Sequence, residues 1–186
     1  MTNLFKRATA VLGLLAMFAA AVFGSVLPAA AAGTPHLMLT LKDGVVDIQL
    51  MPEIAPLHVA RIIELTNKGF YNGLTFHRVI EGFMAQTGDP TGTGAGGSDL
   101  PDVKAEFSPT HYDRGTVGAA RANDPDTFNS QFFITFADAG FLDGQYTVFG
   151  KVVGGMDVVD KIKKGDPQSG SMSDPDKIIS AKIEDK

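Results

Sequence analysis

The chain has 186 residues, 44% hydrophobic and 20% charged, with 21 Gly, 10 Pro, 13 Phe and neither Cys nor Trp. That length allows one ordinary domain, and the apolar share excludes a disordered chain. The lack of cysteine excludes a disulfide scaffold, a thiolate metal site, a Cys nucleophile and a cysteine-linked lipid, while a net charge of −5 argues against nucleic-acid binding.

Residues 1–32 read as a cleaved signal peptide rather than as part of the fold. Lys6 and Arg7 make a short positive start, Ala8 to Ala32 carries no charge, and the segment ends in Pro28 and four alanines before Gly33. Small side chains suit a signal peptidase. Cleavage after Ala32 leaves residues 33–186 as one domain and, with two cations and no acid removed, takes the net charge from −5 to −7. The alternative is an uncleaved anchor, because the uncharged run is long enough to span a bilayer. Cleavage would leave no stable membrane association.

Next, 36–41 and 45–50 flank Asp43-Gly44, a tight-turn signal that predicts a hairpin. Pro56 opens a helix, in which Val59, Ile62, Ile63 and Thr66 form an apolar stripe and Gly69 supplies the stop. Strands are predicted over 75–80, 83–87, 115–120, 131–136 and 146–153, the last with a bulge or bend at Gly150. Residues 89–99 form a glycine-rich loop. A second helix covers 156–164, and a strand over 177–183 closes the chain. Many short strands with two helices predict a mainly β fold, a closed or nearly closed antiparallel barrel with the helices plugging its two open ends.

Strand alternation locates a candidate surface. Phe132, Ile134 and Phe136 share one apolar face, suited to a barrel interior, so Phe133 points outward beside Gln131 and Thr135. Taken alone, an outward aromatic is more often satellite core under a loop. The same alternation sets Met84 and Gln86 on one face and Phe83 and Ala85 on the other. Two strands thus each offer an apolar group and an amide, a combination suited to an extended peptide. Arg78 adds a planar donor fork, although a lone arginine is commonly a surface ion pair.

Other chemistries lack their motifs. His36, His58, His77 and His111 have no metal-ligand spacing, and His77 reads as a hydrogen-bonded structural residue. The glycines of 92–97 lack the Gly-Lys-Ser/Thr ending of a phosphate loop, and no Gly-x-Ser-x-Gly elbow is present. The acidic residues read as a solvated surface. Any catalysis should therefore be noncovalent, with no metal and no cofactor.

Phe76-His77-Arg78-Val79-Ile80, Gly82 to Asp89, Gly92 to Gly97, Asn129 to Ile134 and Leu142 to Gly150 together resemble the cyclophilins, which are peptidyl-prolyl cis–trans isomerases. The likeness spans nearly all of 36–184 in the family's motif order. It implies a closed eight-stranded antiparallel β-barrel capped by two α-helices, and a folding role on proline-containing segments of unfolded or folding proteins. Arg78 matches the catalytic arginine, and Phe83, Met84, Phe133 and Leu142 match the proline pocket. Gln86 and Gln131 match contacts to the substrate backbone, and Ala120 and Arg121 fall in the segment beside the peptide. Phe141 stands where many eukaryotic members have Trp, Tyr146 replaces a pocket-wall His, and Arg121 stands near a common Asn. Loss of the indole donor implies only weak cyclosporin binding. With its leader the chain resembles the secreted bacterial form, expected in the periplasm, and its evenly spread charge leads to the expectation of a monomer. A secreted peptide-binding chaperone with little turnover is the alternative.

Overall fold

In the computed structural model, residues 33–186 are described, so the expected signal peptide lies outside the described residues. The hairpin forms as the Asp43-Gly44 turn predicts. β1 (Pro35–Leu41) pairs antiparallel with β2 (Gly44–Leu50), with Leu39 opposite Val46 and Leu37 opposite Ile48. Alternation sends these four side chains inward, and all are fully buried.

α1 (Pro56–Asn67) begins at Pro56 and buries Val59, Ile62, Leu65 and Thr66. Ala55 offers no side-chain cap. Instead the Glu106 carboxylate, from a distant loop, accepts the Leu57 and His58 N–H groups at 3.1 and 3.0 Å and meets His58 Nδ1 at 2.7 Å. His58 is buried and stacks on Phe128 at 4.5 Å. Thus Glu106 is no bystander of a solvated acidic surface; it satisfies helix-end donors that would otherwise be orphaned.

The remaining elements are β3 (Arg78–Ile80), β4 (Met84–Thr87), β5 (Thr116–Ala119), β6 (Phe132–Thr135), β7 (Val148–Gly154), α2 (Met156–Asp160) and β8 (Ser180–Asp185). The eight strands make one antiparallel sheet in the order β3-β4-β6-β5-β7-β2-β1-β8. It is a curled half-barrel around one apolar core, to which Phe132, Ile134 and Phe136 all contribute as the alternation predicts. α1 packs beside β8 and α2 beside β2.

The predicted closed ladder is not among these pairings. β3 and β8 do not pair directly; the segments leading into them meet through the antiparallel bridge of Thr75 to Lys177 and through the Gly73, Ile178 and Phe76 N–H groups, which donate to the Ile178, Leu74 and Asp176 carbonyls at 2.7, 2.8 and 2.9 Å. Loops cover the two edges instead: Val79 exchanges backbone hydrogen bonds with Gly165 and Gly170, both at 2.9 Å, and the Ala181 N–H donates to Asn72 Oδ1 at 2.8 Å. This covering satisfies edge groups without a continuous strand pair.

It also explains where the predicted boundaries moved. Residues 75–77 turn toward Asp176 and Lys177, so β3 starts at Arg78. α2 stops at Asp160 because the chain leaves to form the strap that reaches Val79. β8 starts at Ser180, with Ile178 buried and Ile179 exposed. The irregularity expected at Gly150 is a pair of register shifts: β7 skips Phe149 against β5 and Val153 against β2.

Candidate functional site

Four strands align one residue each. Arg78 on β3 lies opposite Gln86 on β4, Gln86 opposite Phe133 on β6, and Phe133 opposite Gly118 on β5. The side chains of Arg78, Gln86 and Phe133, on the face away from the main core, line a hollow of about 370 Å³. Its lining comprises Arg78, Phe83, Met84, Gln86, Ala120, Arg121, Phe133, Phe141, Leu142, Gln145 and Tyr146. Every candidate from the sequence is there except Gln131. That residue lines an adjoining cavity of about 480 Å³, which shares Gln86, Ala120 and Arg121 with the first. Gln145 is an addition, brought in by the turn after Leu142.

The apolar wall has two sources. Met84 and Phe133 project from strands, whereas Leu142 and Phe141 come from a 3-10 turn, Gly140–Leu142, that strand periodicity does not reveal. Phe83 corrects the alternation argument. It precedes β4 and lies in the turn, so it joins Met84 in the hollow rather than facing away, and its ring lies 5.3 Å from that of Phe141.

Phe133 is buried and belongs to a second apolar cluster with Met84, Tyr112, Ala139, Leu142 and Val148. Satellite core and pocket wall are the same object here. Tyr112 stacks behind Phe133 at 5.8 Å, and Tyr146 meets it edge-on at 5.9 Å. Gly118 makes this possible: a Cβ there would stand 2.5 Å from both Phe133 Cζ and Tyr112 Oη. No local sequence pattern marks Tyr112 for this place. Burial pushes its phenol pKa up, and its hydroxyl has no partner among the described residues.

The polar groups form a relay. Arg78 Nη1 donates to Gln86 Oε1 at 3.3 Å, and Gln86 Nε2 donates to Gln131 Oε1 at 2.8 Å. Gln131 Nε2 donates to the Gly94 and Gly96 carbonyls at 3.0 and 2.8 Å. Arg78 Nε donates to the Ser169 carbonyl at 3.2 Å. The expectation of a surface ion pair fails: among the described residues no carboxylate lies within salt-bridge reach of Arg78. The reason is its neighbourhood, since the hollow's lining contains no acid.

Arg121 lies over the Tyr146 ring at 4.4 Å and donates to the Gln145 carbonyl at 3.1 Å. The Ala120 N–H is committed to the Gln131 carbonyl at 2.9 Å. His77 departs from expectation, burying both ring nitrogens without a partner among the described residues. Burial holds its pKa below the usual imidazole value. Asp89 anchors the glycine loop: burial raises its pKa, but hydrogen bonds from Thr91, Gly96 and Gly94 outweigh that and bring it down to about 2.

An apolar hollow beside amides and an uncompensated guanidinium is a surface for a peptide with one compact apolar side chain. The relatives agree. Residues 36–183 match the family described as cyclophilin type peptidyl-prolyl cis-trans isomerase/CLD. A probable peptidyl-prolyl cis-trans isomerase of Brucella suis is 53% identical over 182 residues, covering 91% of this chain and 93% of the relative. A peptidyl-prolyl cis-trans isomerase of Helicobacter pylori is 44% identical over 139 residues, covering 73% and 84%. Among solved structures, a Cryptosporidium parvum cyclophilin-type isomerase, crystallised in the presence of the dipeptide Ala-Pro, superposes with a TM-score of 0.74 at 30% identity. That match covers 81% of this chain and 99% of the other. Motifs, half-barrel and relatives converge: the chain belongs to the cyclophilin-type peptidyl-prolyl cis–trans isomerases.

Proposed function

We propose that the chain accelerates rotation about X–Pro bonds in exported proteins, with Arg78 as the catalytic residue and the 370 Å³ hollow as the proline site. The carrying observation is the position of Arg78, at the rim of an apolar hollow with Nη2 engaged by no group among the described residues.

Amide resonance holds the X–Pro bond planar behind a barrier of about 18–20 kcal/mol. Lowering an exchange time of roughly a hundred seconds to milliseconds needs about five decades, or roughly 7 kcal/mol. No bond breaks. In the twisted transition state the nitrogen lone pair leaves conjugation and becomes a hydrogen-bond acceptor. A donor aimed at that nitrogen stabilises the twisted state more than either planar state, as acceleration requires. The donation passes no proton to the substrate, so the step needs no acid–base partner.

Phe83, Met84, Phe133 and Leu142 grip the pyrrolidine ring, with Phe141 and Tyr146 at the rim. Gln86 holds the preceding carbonyl, oriented by the relay through Gln131. Because the Ala120 N–H is already used, its carbonyl is the group left to receive a peptide N–H. Arg121 borders both cavities and bounds the path of the chain. The apolar wall also excludes water, which favours the less polar twisted amide.

In this reading the protein acts as a monomer in the periplasm after removal of residues 1–32, on proline-containing segments of folding proteins, and binds cyclosporin only weakly. The lack of an indole at Phe141 supports the last point. A protease-free prolyl isomerisation assay on the purified protein tests the activity. Unaccelerated exchange, with aggregation of unfolded protein suppressed, would establish a chaperone instead.

A further inference from the structure

The 3-10 turn Gly140–Leu142 presents Phe141 and Leu142 to the hollow, yet it is three residues long and has no side-chain cap. Its restraint comes from behind. His111 Nε2 lies 2.6 Å from Asp138 Oδ2, and His111 Nδ1 lies 2.6 Å from Asp143 Oδ2. Asp143 directly follows the turn, and Asp138 stands two residues before it. Their other oxygens bind backbone: Asp138 Oδ1 accepts the Gly140 N–H at 3.2 Å, and Asp143 Oδ1 accepts the Tyr112 N–H at 2.9 Å. The Ala139 N–H donates to the Tyr112 carbonyl at 2.7 Å. Gly140 leaves room for the imidazole, since a Cβ there would stand 2.9 Å from His111 Cε1.

A neutral imidazole has one N–H and one lone pair, so it can donate to only one of the two carboxylates. The imidazolium donates to both. We propose that His111, as a doubly protonated bridge between Asp138 and Asp143, is a positioning residue that sets the Phe141–Leu142 wall for substrate binding. This rests on the reading of the hollow as the proline site.

Hydrogen bonding to Asp143, then to Asp138, raises the His111 pKa to about 9, so the bridge is intact at neutral pH. Tyr146, an ionisable group of the hollow itself, is common to wild type and variant, so their comparison cancels it; the others nearby are spoken for. Asp113 pairs with Lys151, Arg114 pairs with Asp160, and the Tyr112 phenol is held protonated by burial. Because the folded pKa lies above the free value of 6.5, the bridge is lost as pH rises through about 9.

The test measures kcat and KM separately on one X–Pro peptide from about pH 6.5 to 10.5, for the wild type and His111→Gln. Glutamine can donate to one carboxylate but carries no charge. The expected result at pH 7 is a KM raised about three- to tenfold in the variant, with kcat within about twofold. The wild-type KM should climb toward that of the variant through about pH 9, while the variant's KM stays flat. An unchanged KM in His111→Gln, or a wild-type rise that persists in the variant, overturns the proposal. If the variant does not fold, the imidazole titration of wild-type His111 by NMR decides: its midpoint must coincide with that of the KM rise, and a mismatch refutes the bridge. A wild type that turns over no prolyl peptide would instead defeat the reading of the hollow.

Discussion

Arg78 and Gln86 stand directly opposite each other across β3 and β4, and the guanidinium donates to the amide oxygen at 3.3 Å. This contact uses one donor of Arg78 and fixes which way Gln86 faces. With its oxygen turned toward Arg78, Gln86 must present its NH2 to Gln131, which in turn presents its own NH2 to the glycine loop. One cation therefore orients two amides along the floor of the groove.

Arg78→Lys should cut kcat/KM about a hundredfold, roughly 2.7 kcal/mol of transition-state stabilisation. An ammonium lacks the fork that spans Ser169, Gln86 and a substrate nitrogen together. The protease-free isomerisation assay checks this, with thermal unfolding as the control for folding. Near-normal turnover would remove Arg78 from the catalytic role.

Gln131→Ala breaks the relay in its middle, removing one of the two contacts that hold the Gln86 amide and releasing the Gly94 and Gly96 carbonyls. A rise in KM of about three- to tenfold is expected, corresponding to one or two hydrogen bonds of ordinary net strength. Steady-state kinetics on a peptide extending at least two residues either side of proline would show it. A variant with wild-type KM would show that Gln86 is oriented without Gln131.

Gly118→Ala places a methyl 2.5 Å from Phe133 Cζ and Tyr112 Oη. Both rings are packed, so the cost should be about 1–3 kcal/mol of stability, accompanied by weaker peptide binding as Phe133 shifts. Chemical denaturation and peptide titration measure the two effects. An unperturbed Kd would show that the Phe133 ring can move without changing the hollow.

The His58–Glu106 cap predicts a pH dependence of stability rather than of turnover. Burial lowers the His58 pKa below its ordinary 6.5, outweighing the Glu106 hydrogen bond that raises it. The unfolded chain therefore binds the proton more readily than the folded one. Stability from this group is present above about pH 6.5 and is lost as pH falls through the lower folded value. Glu106→Ala should lower stability by about 1–2 kcal/mol by orphaning the Leu57 and His58 N–H groups. Unfolding curves between about pH 4.5 and 8 test both, and a Tm independent of pH across that range would contradict the burial argument.

Strand periodicity made the inner face of β6 legible because Phe132 and Ile134, with Phe136 just past the strand's end, sit at spacing two. It misplaced Phe83 because alternation does not extend into the turn before β4. It gave no sign of Glu106 as the cap of α1, since that contact joins residues 48 apart in sequence. Tyr112, His111 and Ser169 were equally hidden. Each serves the site through a neighbour supplied by another segment, and no local pattern encodes such a neighbour.

Local order along the chain thus settled the hairpin, the helix starts, the eight-strand count and, through the family's motifs, the residues of the hollow. Tertiary structure alone decided that loops rather than a ladder cover the edges of β3 and β8, and that Arg78 has no carboxylate partner. It also decided that one histidine braces the turn carrying Phe141 and Leu142. The division is physical. Periodicity and turn chemistry act over a few residues, whereas edge covering, charge pairing and packing behind a pocket depend on which distant segments the folded chain brings into contact.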